Sequence, residues 1–458
     1  MTTLVGCVDV GSTWTKAAIV DVETGELCGT ASHPTTIGTD VLHGLDAAIA
    51  ATGCTPADIV ACSSAGGGLR LAVVGYEPLV SAEAGRRVAL SAGARVVHVA
   101  AGRLDTAGVA ALRAARPDVL LLVGGTDGGE ADTLIHNARR LGSARWRRPV
   151  VLAGNADARA AASGALAAVP QVACENVLPR VGELAPGPAR AAIRDVFLRH
   201  VIGGKGLSRG RRFASLVRAA TPDAVLTGVE LLAAASGAAL LAVDVGGATT
   251  DVYSVLTPAG RDPDVAGTAW HGRTVEGDLG VRWSATGVID AARAERLPVP
   301  DGLAEAAAAK AADPGLAADP ATDLPLARLA ATVAVRRHAR RDEHRWGRQP
   351  AQRSEAGGQA APARNWPGRG GRDLADVALV IGSGGVLRHA PAHAAASVLV
   401  AVAGDLAGGW STPRAPAFAV DVMYVLAPAG LLAAEHPAAA NALLSRYLVN
   451  GNRLTRHG

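Results

Sequence analysis

The residues best suited to chemistry are aspartates that each close an apolar strand and run into a small-residue turn. Asp9 ends Leu4–Val10 and leads into Gly11, Ser12 and Thr13; Asp244 ends Leu240–Val245 and leads into Gly246, Gly247, Ala248, Thr249 and Thr250, with Asp251 just beyond. Glycine lets backbone approach oxyanions closely, and successive backbone N–H groups make an anion nest. A carboxylate beside phosphate needs a cation between them. Asp9 and Asp244 are therefore candidate Mg²⁺ ligands, acting through water because Mg²⁺ keeps much of its hydration shell. Lys16, at the start of the next strand, can reach a terminal phosphate, and Asp251 can orient water or ligate metal. Asp9, Lys16 and Asp251 form the candidate catalytic set. The first loop alone reads as readily as an ordinary hairpin; the second is sharper, with two acids bracketing Gly-Gly-Ala-Thr-Thr, and the signal is the pair.

A third element is Gly382, Ser383, Gly384 and Gly385, at the end of the apolar run Val377–Ile381. A strand entering such a turn lets a base or ribose lie against backbone, although a plain strand–turn–helix has the same look. It is not a dinucleotide fingerprint, since GxGxxG is absent. Gly203-Gly204-Lys205-Gly206 lacks the spacing of a P-loop.

Other clusters have two readings each. Gly124-Gly125-Thr126-Asp127-Gly128-Gly129 ends a buried strand, where α/β proteins place ligands, or is a strand-to-helix turn. Ser63-Ser64 with Gly66-Gly67-Gly68 reads likewise, and no GxSxG elbow surrounds Ser64. Glu276 and Asp278 are either a carboxylate pair for water activation or a surface turn. His389 and His393 stand four apart without a third metal ligand.

The elements that must carry these residues follow from periodicity. Leu4–Val10, Lys16–Val22 and Glu26–Ser32 are strands around tight turns, and Thr39 caps a helix ending near Gly53. From about residue 58 to 180, apolar runs at Ile59–Cys62, Arg95–Ala100, Val119–Val123, Val150–Ala153 and Gln171–Cys174 alternate with helical stretches. That alternation implies an α/β fold with a mostly parallel sheet. Residues 186–238 read as helical. At Leu240 the opening strand–Asp–Gly–strand unit recurs, a weak internal repeat about half a chain away. Residues 336–372 hold ten Arg, three acids and six Gly with little apolar periodicity, and read as a mobile loop.

Composition sets bounds. The 458 residues are 49% hydrophobic, enough for a large core, and only 3% aromatic, which argues against a stacking platform for single strands. A net charge of +4 is too mild to imply nucleic acid. Lysine is confined to Lys16, Lys205 and Lys310; Lys16 therefore draws notice, while Lys310 in an Ala-rich helix reads as chance. Five cysteines without CxxC spacing suit reduced thiols in a cytoplasmic protein. The longest apolar stretch, Leu231 to Val243, is too short to span a bilayer.

The two aspartate loops and the later glycine turn, in this order, resemble the acetate kinase/Hsp70/actin/sugar kinase superfamily. Cys62–Arg70, Leu122–Gly129, Val275–Gly280 and Asp421–Leu426 are similar to stretches of the glutamate mutase L family, also called GlmL or MutL and distinct from the mismatch-repair protein of that name. The resemblance runs through nearly the whole chain. It implies two actin-like, ribonuclease-H-like halves flanking a nucleotide cleft, at 1–238 and 239–458, with a βα-rich insertion at about 58–200. It implies ATP with Mg²⁺ as cofactors, phosphates at Asp9–Lys16 and Asp244–Asp251, and adenosine at Gly382–Leu387. The partners implied are subunits of an adenosylcobalamin-dependent, glutamate mutase-like enzyme, with neither nucleic acid nor membrane. The activity implied is that of an accessory or reactivating ATPase; a small-molecule kinase and a non-hydrolysing assembly scaffold stay open as alternatives.

Overall fold

A computed structural model describes residues 3–65, 69–92, 94–197, 199, 206–256, 271–339, 372–405, 409–449 and 453–454. Gly66-Gly67-Gly68, Gly203-Gly204-Lys205 and residues 340–371 of the expected Arg-rich loop lie outside the described residues. The chain divides into two compact units. The first comprises Met1–Ser236, Thr257–Arg273 and Met423–Tyr447; the second comprises Gly237–Leu256, Thr274–Val422 and Leu448–Gly458.

The first unit opens with a meander of β1 (Leu4–Val10), β2 (Trp14–Asp21) and β3 (Glu26–Pro34). After the helix Val41–Ala50 comes β4 (Asp58–Ser63), parallel to β1. The cap of that helix is Asp40 rather than Thr39, because the Asp40 side chain accepts the Leu42 N–H. The chain then enters an inserted sheet of β5 (Arg70–Gly75), β6 (Arg95–Ala101), β7 (Val119–Leu122), β8 (Val150–Leu152) and β9 (Gln171–Ala173). It returns through β10 (Val217–Ala220), which joins β4 and completes the order β10-β4-β1-β2-β3. β10 corrects the reading of 186–238 as helical apart from a glycine break at Gly203–Gly206. Its four residues, Val-Arg-Ala-Ala, carry too little pattern to show a strand against helical neighbours.

The inserted sheet is wholly parallel, in the order β6-β5-β7-β8-β9. Its inner strands β5, β7 and β8 read as nearly unbroken apolar runs because they are covered on both faces. Val119–Leu122 is fully buried.

The second unit repeats the first pattern with β11 (Leu240–Val245), β12 (Thr250–Val255), β13 (His271–Glu276), β14 (Leu379–Ser383) and β15 (Ala417–Val420). The order is β13-β12-β11-β14-β15, with a short edge strand β16 (Arg453–Leu454) beyond. In both sheets the first strand pairs antiparallel with the second and parallel with the fourth. Both therefore have ribonuclease-H-like topology, the duplicated α/β pattern expected of an actin-like fold, with a βα region inserted in the first copy.

Two contacts fix the surroundings of the sites. In the first unit the helix Thr221–Ser236 crosses Leu426–Leu432 with backbones touching. A Cβ on Gly228 would stand 2.1 Å from the Leu426 carbonyl oxygen, and one on Gly430 would stand 1.9 Å from that of Ala224. In the second unit the helix Pro320–His338 runs through the core. Its end corrects the reading of 336–372 as mobile from its first residue. Arg336 is buried, bonded to Asp405 at 2.6 and 3.0 Å and to Glu295 at 3.3 Å. The Arg372 N–H then donates to the His338 carbonyl. Lys310 also has a structural role: its ammonium, almost wholly buried, lies 2.9 Å from Asp323.

Candidate functional site

In the first unit, Asp9 is buried at the end of β1, and its carboxylate is surrounded by donors. Lys16, directly opposite across the β1–β2 ladder, lies 3.2 Å from Oδ2. Tyr424 donates its hydroxyl to the same oxygen at 2.7 Å. Thr221, at the start of its helix, donates to Oδ1, and so does the Cys62 thiol at 3.6 Å. Burial, and behind it the Asp9 carboxylate, pushes the Cys62 thiol far up, so it stays protonated as a donor. The Lys16 ammonium sits 4.0 Å over the Tyr424 ring, a favourable cation–π placement. Tyr424 thus touches both members of the ion pair.

Beyond Asp9 the turn is exposed. Ser12, Thr13 and Trp14 face solvent, and the Gly11 N–H closes the turn on the Trp14 carbonyl at 3.1 Å. A Cβ on Gly11 would meet that carbonyl at 2.7 Å. Ser64 is part-buried beside this turn, and its carbonyl accepts the Ser12 hydroxyl. Its N–H holds the Val10 carbonyl.

The second unit builds the same turn. Gly246 N–H closes on the Thr249 carbonyl at 2.9 Å, and Asp244 lies directly opposite Asp251. Gly246, Gly247, Ala248 and Thr249 are part-exposed. Thr250 is turned inward instead: fully buried, it donates its hydroxyl to the Leu279 carbonyl at 2.6 Å. The segment after Glu276 props this loop from below. Val281 N–H reaches the Gly246 carbonyl, Arg282 and Trp283 N–H reach Gly247, and the Ser284 hydroxyl reaches Ala248. Gly280 packs so tightly there that a Cβ would fall 2.4 Å from the Ala248 carbonyl carbon.

Ser383 pairs with Asp244 in the parallel β11–β14 ladder, as Cys62 pairs with Asp9 in the β1–β4 ladder. Gly384, at φ +95°, rides against β11. A Cβ there would lie 2.1 Å from the Val245 carbonyl oxygen and 2.9 Å from Asp244 Oδ1. Gly382 is buried, with its carbonyl bound to the Asp421 N–H, and Gly385 is exposed. The structure thus brings Asp244, Asp251 and Gly382–Gly385 together in one unit, and Asp9, Lys16 and Gly11–Thr13 in the other.

Glu276 is part-buried and Asp278 lies exposed on a turn, and neither carboxylate is free. Both pair with Arg337, at 2.7 Å for Glu276 and at 2.8 and 3.0 Å for Asp278. Burial lifts the Glu276 carboxyl above its usual range despite Arg337, and Asp278 and Asp251 add repulsion. The pair is therefore a clamp beside Asp251. Asp127 likewise ties its own loop, accepting the Ala156 N–H and the Asn176 amide. His389 and His393 are both exposed, and among the described residues no group of three or more His, Cys, Asp or Glu is arranged to hold a metal ion. Thr221, Tyr424, Gly280 and Arg337 escaped the residue-by-residue reading. The available cues were the helix-start triplet Thr221-Pro222-Asp223 and the Asp421–Leu426 and Val275–Gly280 stretches.

The glycine-closed turns have the shape of phosphate cradles, with the exposed Ser12 and Thr13 on the first and part-exposed backbone from Gly246 to Thr249 on the second. Asp9 has both oxygens engaged by protein donors, so it can meet the water of a hydrated cation only where one of them, such as Lys16, gives way. Among the described residues no helix is long and apolar enough to cross a membrane.

Comparison with known proteins places this chain. The family model described as MutL protein matches residues 5–448. The protein named "Protein MutL" of Clostridium tetanomorphum is 33% identical over 472 residues, covering 96% of this chain and 98% of that one. Similar solved structures include an ATP-dependent caprolactamase from Pseudomonas jessenii, with a TM-score of 0.36, 14% identity, and coverage of 96% and 70%. Another is component A of (R)-2-hydroxyglutaryl-CoA dehydratase from Acidaminococcus fermentans, with a TM-score of 0.30, 10% identity, and coverage of 96% and 100%. At these scores the structural likenesses carry no argument, and the fold rests on its own strand order. The family match spans nearly the whole sequence, and the chain belongs to the MutL protein family.

Proposed function

We propose that this chain binds ATP with Mg²⁺ through its two hairpin loops and hydrolyses it. In this reading it is a cytoplasmic accessory ATPase that remodels an adenosylcobalamin-dependent mutase of the glutamate mutase type. The supporting observation is the repeated turn: Gly11 closing on Trp14 and Gly246 closing on Thr249, each two residues past an aspartate on the preceding strand. Such a turn presents backbone N–H groups to an anion without a side chain in the way.

Each residue's part follows from its surroundings. Gly11, Ser12 and Thr13 receive one end of the phosphate chain, and Gly246, Gly247, Ala248 and Thr249 the other. Lys16 exchanges Asp9 for a phosphate oxygen as a compact point charge. Asp9 and Asp244 hold the hydrated cation. When bound, Mg²⁺ neutralises charge on the phosphates. Asp251 orients the attacking water, its charge balanced by the Glu276–Arg337–Asp278 clamp. Thr250 supports the loop from inside. Gly382–Gly385 offer backbone to the adenosine. The mutase partner comes from the family, whose name the Clostridium relative shares.

The test is phosphate release from ATP by the purified chain, alone and with the mutase subunits. Slow release, stimulated by the mutase and lost in Asp251→Asn, is expected. No release under either condition would remove the ATPase reading. Equal mutase binding with ATP and a non-hydrolysable analogue would favour a scaffold.

A further inference from the structure

The inserted parallel sheet has a face that the nucleotide loops do not use. Its strand order, β6-β5-β7-β8-β9, reverses direction between β5 and β7. In open α/β sheets the carboxyl ends of the strands at such a switch point are where ligands and partners engage. The loops leaving those ends interlock here. Asp127 N–H donates to the Pro179 carbonyl at 3.0 Å, Ala156 N–H donates to Asp127, and Gly124 packs on Tyr76.

This edge combines two properties. It exposes large apolar side chains: Tyr76 is 40% exposed, Leu79 61%, Val80 42% and Val181 83%. Scattered exposed apolar residues need no explanation, but several on one interlocked edge mark a contact surface. It is also acidic. Loops 76–80, 102–105, 124–132, 154–158 and 174–183 contain eight carboxylates and two arginines, although the whole chain carries a net +4. Capping accounts for some of these acids, Asp105 and Glu130 among them, by their hydrogen bonds to the following helices. Asp157 and Glu175 stand exposed.

We infer that this edge docks a partner protein presenting a basic surface with an apolar centre. Acidic loops repel nucleic acid and anionic membranes, whereas they steer a basic protein and leave the apolar residues to be desolvated on contact. The partner's identity rests on the proposed function, which makes it the mutase.

The experiment measures binding of the full chain to the purified mutase subunits by calorimetry, with ATP binding measured in parallel. Leu79→Ser/Val181→Ser and Asp157→Lys/Glu175→Lys are each expected to weaken mutase binding by about tenfold or more, leaving ATP affinity unchanged. The charge variant is also expected to flatten the salt dependence of binding. Wild-type affinity in both variants would overturn the docking surface while leaving the functional reading intact. No mutase binding by the wild type would overturn both. Self-association of the chain, abolished by the same substitutions, would put a second copy on this edge and overturn the assignment.

Discussion

Lys16 and Asp251 occupy the same place in two hairpins of one design. Lys16 faces Asp9 across the first ladder, and Asp251 faces Asp244 across the second. One copy of the repeat thus sets a cation against its aspartate and the other sets a second acid. The ammonium suits phosphate binding, and the carboxylate suits handling water. Lys16→Met is expected to weaken ATP binding by about tenfold or more. Asp251→Asn is expected to retain binding and to slow phosphate release about a hundredfold. Calorimetry and a phosphate-release assay on the same preparations separate the two effects.

Tyr424 is expected to hold Lys16 and Asp9 in register. Tyr424→Phe keeps the ring beneath the ammonium but deletes the hydroxyl from a buried carboxylate, at a cost of roughly 1–2 kcal/mol. Urea denaturation should show that loss, and Tyr424→Ala should show a larger one together with weaker ATP binding.

Two glycines are tests of the second loop. An alanine at Gly280 would push a methyl group into Ala248, and one at Gly384 into the Val245 carbonyl at a positive φ. Both variants are expected to fold, since the changes lie in loops, and to lose ATP affinity by about tenfold or more. Circular dichroism checks the first expectation and calorimetry the second.

His338 gives the protein a pH dependence. It is buried between the Ser254 hydroxyl at 2.7 Å and the Thr274 hydroxyl at 3.0 Å. Burial, and then Arg372, hold its pKa well below the usual 6.5. Below that pH the unfolded chain takes up a proton that the folded chain refuses, so stability falls as pH drops. The slope contributed is at most about 1.4 kcal/mol per pH unit. Thermal melts between pH 7.5 and 5.5 should show this for the wild type (a window of roughly two units around the imidazole value). His338→Asn should be less stable throughout and show a flatter dependence.

What could be read in advance was local. A strand, an aspartate, a glycine turn and a returning strand sit within a dozen or so residues, so both loops were visible before the fold. Partners brought in by topology were not. Thr221 reaches Asp9 from 212 residues away and Tyr424 from 415. Arg337 was hidden by composition, because it is the second residue of an Arg-rich run yet lies in the last turn of the helix Pro320–His338, between the buried Arg336 and His338. Lys310 looked incidental in its Ala-rich helix, and only the fold sets Asp323 beside it. Thr250 carries the right hydroxyl, but strand alternation turns it inward.

The central claim is that the two turns bind ATP. The most direct measurement is isothermal titration calorimetry of the full chain with ATP, with and without Mg²⁺. Saturable, Mg²⁺-strengthened binding at one site per chain, abolished by Gly246→Val and by Asp9→Ala in folded protein, is the predicted result. The absence of any saturable heat from a folded wild-type chain, or undiminished binding in both variants, would contradict it.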